Sequence, residues 1–133
     1  MRQDTLDTSE AAAAPTLEIA NAIVRAYKEL LGRGPTKARV LFAGADVLIV
    51  VLQDTMTAQE HTLASLGEQE RLREHRLVLT TSAEDQFRSI VEGALGRRTL
   101  ARVSGFDIHR DVAAEIFTLE PVTTNGDPAT TEV

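Results

Sequence analysis

The sequence predicts an α+β domain of two layers: a four-stranded, mainly antiparallel sheet made of two hairpins, with helices packed on one face, in the order α-β-β-α-α-β-β. Three observations predict it. Apolar, β-branched segments come in two pairs, each joined by a short connection. Helical periodicity fills the stretches before and between the pairs. Strands arriving in pairs, and not singly between helices, favour an antiparallel sheet over the parallel crossover arrangement.

The first helix rests on Leu17, Ile19, Ala20, Ile23, Val24, Tyr27, Leu30 and Leu31, which recur at helical spacing. Pro15 and Thr16 are its start signal and Gly32 its stop. Residues 39–43 and 47–52 form the first hairpin around Gly44 and Ala45. Thr57-Ala58-Gln59-Glu60 is a capping box that opens a short helix ending at Leu66. Leu72, Leu79, Ala83, Phe87, Ile90, Val91, Ala94 and Leu95 then define the longest helix, up to Gly96. Thr80-Thr81-Ser82 are weak helix formers in its middle and Ser82-Ala83-Glu84-Asp85 reads as a second capping sequence, which leaves open a break there. Residues 99–106 and 112–119 are the second strand pair. The ends, residues 1–15 and 122–133, are poor in core-forming residues and read as disordered tails around a single domain at 16–121.

Composition limits function. The chain has 133 residues, enough for one cored domain, and no cysteine, which removes disulfides, thiolate catalysis and zinc-thiolate or iron-sulfur sites. A net charge of -6 argues against nucleic-acid binding. No apolar run reaches the roughly 20 residues of a membrane span, and residues 1–15 lack the apolar centre of a signal peptide, so a cytoplasmic protein without membrane insertion is expected. The charge is uneven. Residues 25–39 set Arg25, Lys28, Arg33, Lys37 and Arg39 against Glu29 alone, whereas residues 40–70 hold five acids and no lysine or arginine.

That basic stretch holds the first candidate site. In Gly32-Arg33-Gly34-Pro35-Thr36-Lys37-Ala38-Arg39, glycine allows close backbone approach, and Arg33, Lys37 and Arg39 offer charge-assisted bonds to an anion or an acidic partner, with Gly34 between them. The plainer reading is that Gly32 ends a helix and Gly34-Pro35 turns the chain. A weaker candidate is Asp107-x-His109-x-Asp111, whose hard ligands alternate along a connection and suit a divalent metal, although Asp and His are also ordinary turn residues. Glu115 follows on a strand, where it faces solvent or a partner. His61 and His75 have no nucleophile or paired carboxylate nearby and read as surface residues. Arg71, Arg73, Arg76 and Arg88, interleaved with acids, read as a solvated helix face laced by ion pairs.

Val47-Leu48-Ile49-Val50-Val51-Leu52 lacks the polar alternation of a strand with one wet face. The chain has little left to cover a second face, so a homo-oligomer, most simply a two-fold dimer, is expected.

The chain resembles a bacterial family of unknown function described as component C of a sodium-translocating, membrane-potential-generating system. The resemblance is carried by Ile23 to Tyr27 leading into Gly32-Arg33-Gly34-Pro35, by Thr57 and Glu60, by Glu92-Gly93-Ala94-Leu95-Gly96-Arg97-Arg98, and by Glu115-Ile116-Phe117-Thr118-Leu119-Glu120-Pro121. It spans roughly residues 16–121 and implies association with a membrane system, but brings no catalytic residue or cofactor. With no catalytic constellation of its own, the sequence points to a noncatalytic accessory module with an unidentified protein partner. An anion-binding or sensing domain built on residues 32–39 is the alternative, and a metal-dependent enzyme at Asp107, His109 and Asp111 a third.

Overall fold

The computed structural model describes residues 2–122. Its elements are α1 (Arg2–Leu31), β1 (Lys37–Phe42), β2 (Val47–Gln53), α2 (Ala58–Ser65), α3 (Gln69–Ser82), α4 (Glu84–Leu95), β3 (Thr99–Asp107) and β4 (Val112–Leu119). The order is the expected one, with the long helix divided at Ala83. At the N-terminus the outcome differs from the reading. Helix α1 begins at Arg2, and Pro15, read as its start, lies inside it. The alanine run 11–14 has the highest helix propensity of any residue type, and it carries the helix past a proline that removes a backbone donor. The tail expected from 122 falls, beyond Val122 itself, outside the described residues.

The capping box forms as read: Thr57 Oγ1 accepts from Glu60 N, and Glu60 Oε1 accepts from Thr57 N. The break between α3 and α4 has a different origin from a serine cap. Ala83 ends one helix and starts the next without a side-chain cap, and Ser82 Oγ instead donates back to Leu79 O.

The sheet is antiparallel throughout in the order β1-β2-β4-β3, so the two hairpins join through β2 and β4. Those central strands carry the apolar inner face. Leu48, Val50 and Leu52 of β2 and Ala113, Phe117 and Leu119 of β4 are buried. Ile19, Ile23 and Tyr27 of α1, spaced one turn apart, and Phe87 and Val91 of α4 cover them. Tyr27 and Phe87 stack with ring centroids 5.7 Å apart. Met56, Leu72 and Ile108 form a smaller cluster beneath α3.

The two glycines of the basic run have different duties. Gly32 closes α1 at φ +79°, its N–H donating to Lys28 O, a conformation that a side chain resists by about 1–2 kcal/mol. Gly34 has no such φ, and a Cβ there would stand 3.5 Å from Lys28 Cβ, an ordinary contact. Gly32→Ala is therefore expected to lower stability by about 1–2 kcal/mol. Gly34→Ala should leave it unchanged or raise it by up to about 1 kcal/mol through the unfolded state. Urea denaturation of both variants checks the pair.

Candidate functional site

The basic run is parcelled out by its surroundings. Arg33 Nη2 pairs with Asp54 Oδ2 at 2.9 Å, and Gly34 rests on α1 between Val24 and Lys28. Lys37 and Arg39 stand on the outer face of β1, opposite Gln53 and Val51.

Asp107, His109 and Asp111 also separate. Asp107 Oδ1 accepts from Arg110 N, closing its own turn, and His109 is exposed. Asp111, at φ +54°, accepts from Thr55 N, Thr55 Oγ1 and Met56 N at 2.9–3.0 Å, so it fixes the neighbouring loop. Among the described residues no three His, Asp or Glu side chains form a group able to hold a metal. His61 and His75 are exposed, as read.

The outer face of the sheet has the character inferred from β2. Strand register lines up Leu41, Ile49, Ile116 and Val103 in one row across all four strands. Flanking rows place Arg39, Val51, Ala114 and Gly105 together, and Lys37, Gln53, Val112 and Asp107 together. Among the described residues, the helices pack on the other side. Leu41 and Val103 are accordingly 42% and 58% exposed, large values for aliphatic side chains paired within edge strands.

Two buried polar networks hold the helical layer, and each corrects a sequence reading. Glu115, expected at solvent or a partner, is completely buried on the inner face, because it shares strand parity with Ala113 and Phe117. Its carboxylate accepts from the Tyr27 hydroxyl at 2.7 Å, from Ser104 Oγ at 2.9 Å and from Arg102 Nη1. Arg102 continues to Glu84 Oε1 at 3.1 Å and Thr80 O at 3.3 Å. Arg76, expected on a solvated helix face, is buried as well. Its guanidinium makes a bidentate pair with Glu60 at 2.7 and 3.0 Å, donates to Thr55 Oγ1 at 2.8 Å and lies 4.0 Å over the Phe106 ring. Arg71, Arg73 and Arg88 do form the expected intrahelical pairs, with Glu68, Glu70 and Glu84.

The networks shift their members. Burial first, then the Glu115 carboxylate and the bond to it, push the Tyr27 phenol well above its ordinary value, so it is a fixed proton donor. Glu84 is drawn up by desolvation, but hydrogen bonds from Arg88 and Arg102 outweigh this and hold it below its usual range. Glu92 is lowered by accepting from Thr99 N and Thr99 Oγ1.

Two outcomes follow from this arrangement. Arg102→Met leaves a buried carboxylate without its cation and should cost about 3–5 kcal/mol, while Tyr27→Phe removes one bond to it and should cost about 1.5–3 kcal/mol; chemical denaturation measures both. Glu84 and Glu92 bind protons more weakly folded than unfolded. Their contribution is therefore complete above the unfolded value of 4.5 and is lost as pH falls through the lower folded values. The melting midpoint should decline on acidification below about pH 4.5, and Glu92→Gln, which keeps an acceptor for Thr99 but no charge, should flatten part of that decline.

Comparison with known proteins agrees with the resemblance read from the sequence. No curated protein and no solved structure matches the chain, and no helix among the described residues is long and apolar enough to cross a membrane. Residues 15–121, nearly all of the folded part, match the family model described as Na+-translocating membrane potential-generating system (MpsC), and the chain belongs to that family.

Proposed function

We propose that this protein is a noncatalytic, cytoplasmic accessory module of a membrane-potential-related system, and that it works as a two-fold dimer joined through the outer faces of its sheets. The observation that carries the reading is the row Leu41–Ile49–Ile116–Val103, an apolar stripe across the whole sheet whose two ends, Leu41 and Val103, are exposed. Sheets pack face to face with strands near parallel, and burying an aliphatic side chain stabilises by about 1.5–3 kcal/mol.

Charge chooses the axis. A two-fold axis along the strands stacks β1 of one copy on β3 of the other without reversing the rows. Leu41 then meets Val103, and Lys37 meets Asp107, twice per dimer. An axis across the strands would instead stack each β1 on its own copy and bring the cationic edges together. Lys37 and Arg39 thus act in partner recognition, whereas the anion reading is weakened because Arg33 is already paired with Asp54. The protein partner in the membrane system then meets the helical side or the edges of a dimer.

Sedimentation equilibrium at micromolar concentration should show a dimer, and Ile116→Lys should yield a folded monomer. Lys37→Asp and Asp107→Lys should each weaken association, and their combination should restore it. A monomeric wild-type chain would overturn the assembly. Loss without rescue in the double variant would overturn the proposed axis.

A further inference from the structure

The helical side of the sheet holds a cleft of about 290 Å³, bounded by α3 and β3, that the dimer reading does not use. Arg73, Arg76, Leu77 and Thr80 line it from one stripe of α3, at the spacing of successive turns, and Ser104 and Phe106 line it from β3. No carboxylate is among its lining residues, although two arginines are. Its volume has room for roughly ten non-hydrogen atoms.

The donors inside it are unevenly committed. Ser104 Oγ donates to Glu115, and Thr80 Oγ1 donates to Arg76 O, so both hydroxyl protons are taken. Arg76 spends Nε and Nη2 on Glu60 and Thr55. Its Nη1 has no acceptor among the described residues, yet it is not sealed from solvent, and Arg76 as a whole is only 3% exposed. Stacking on Phe106 and the bidentate pair with Glu60 fix the guanidinium plane. Arg76 thus lines the cleft as a rigid, charged group with one nitrogen uncommitted and its ordering cost already met by folding. Arg73 adds a second cation at the rim, paired with the exposed Glu70, a kind of pair that holds weakly. Beside these donors the lining is apolar: Phe106 lies under the Arg76 guanidinium, and Leu77, next to Arg76 on α3, is 61% exposed.

We propose that this cleft is a binding site for a small monocarboxylate with a short apolar body. The carboxylate accepts from Arg76 Nη1 and is held by the charge of Arg73, and the hydrocarbon part covers Leu77 and Phe106. This inference stands apart from the dimer, whose face is the opposite side of the sheet, so a monomeric protein leaves it intact.

The test is an amide-resolved NMR titration of the full chain with hexanoate and benzoate, and with hexanamide and benzamide, at constant pH and ionic strength. Both acids should shift amides of residues 73–80 and 104–106 saturably and raise the melting midpoint, with the neutral amides at least about tenfold weaker. Arg73→Glu, an exposed substitution that leaves the buried network in place, should weaken acid binding by about tenfold. Arg76→Lys, which keeps the charge and loses Nη1, should abolish it in a chain shown by the same spectrum to be folded. No saturable shift with either acid would overturn the proposal. So would amides that bind as well as the acids, or shifts centred on Lys37 and Arg39.

Discussion

A carboxylate wholly removed from water, that of Glu115, determines how the two layers of this domain meet. A buried charge is tolerated only where cation and hydrogen-bond donors surround it, and here they come from separate elements: Tyr27 on α1, Arg102 and Ser104 on β3. Any slip of α1 along the sheet, or of β3 against β4 by one residue, would strand the charge. Apolar contacts alone set no such penalty, since Leu48, Val50 and Phe117 would accept several helix positions at similar cost. Arg102 extends the constraint to the break between α3 and α4. It donates to Thr80 O, which also accepts from Ala83 N at the helix end, and pairs with Glu84 in the first turn of α4, where negative charge is favoured. The break is thus stitched from the sheet side and needs no capping serine.

The second network does for the loops what the first does for the layers. Asp54 and Asp111 follow β2 and precede β4 at the same end of adjacent strands, both in the left-handed region, and Asp54 N donates to Asp111 O. Asp111 then holds Thr55 and Met56, Thr55 holds Arg76, and Arg76 holds Glu60, whose other duty is the cap of α2. Aspartate is among the few residues that adopt this conformation at modest cost, because its short side chain finds backbone donors nearby. A residue that first suggests a metal ligand is therefore a structural fastener, and its chemistry is consumed by the fold.

Much of this architecture was legible because local signals agreed: the capping box at Thr57 and Glu60, the stop at Gly32, the two hairpins, and the weak helix formers before Ala83. The strand order was not, since two hairpins can dock through either edge; β2 meets β4, the two strands whose alternate residues are fully buried. The buried charges were missed for a specific reason. Charge was read as exposure, yet a signal was there: Glu115 alternates with Ala113, Phe117 and Leu119, and Arg76 lies one turn from Leu72 and one from Thr80, all on buried stripes. The helix before Pro15 was missed because a proline was read as a start, while the alanines upstream carry the helix through it.

Strand β3 shows how one small sheet can serve two surfaces. Its side chains alternate, so Ser104 and Phe106 belong to the cleft beneath α3, while Val103 and Asp107 belong to the outer face, and Gly105 offers no side chain to either. Because β3 is an edge strand, only β4 pairs with it, and Glu115 on β4 is the group that holds Ser104 and Arg102 in place. The same carboxylate thereby positions the floor of the cleft and the edge strand of the proposed dimer face. If the proposed dimer and cleft hold, substitutions at 103 and 107 act on the one, those at 104 and 106 on the other, and a change at 115 reaches both through the backbone they share.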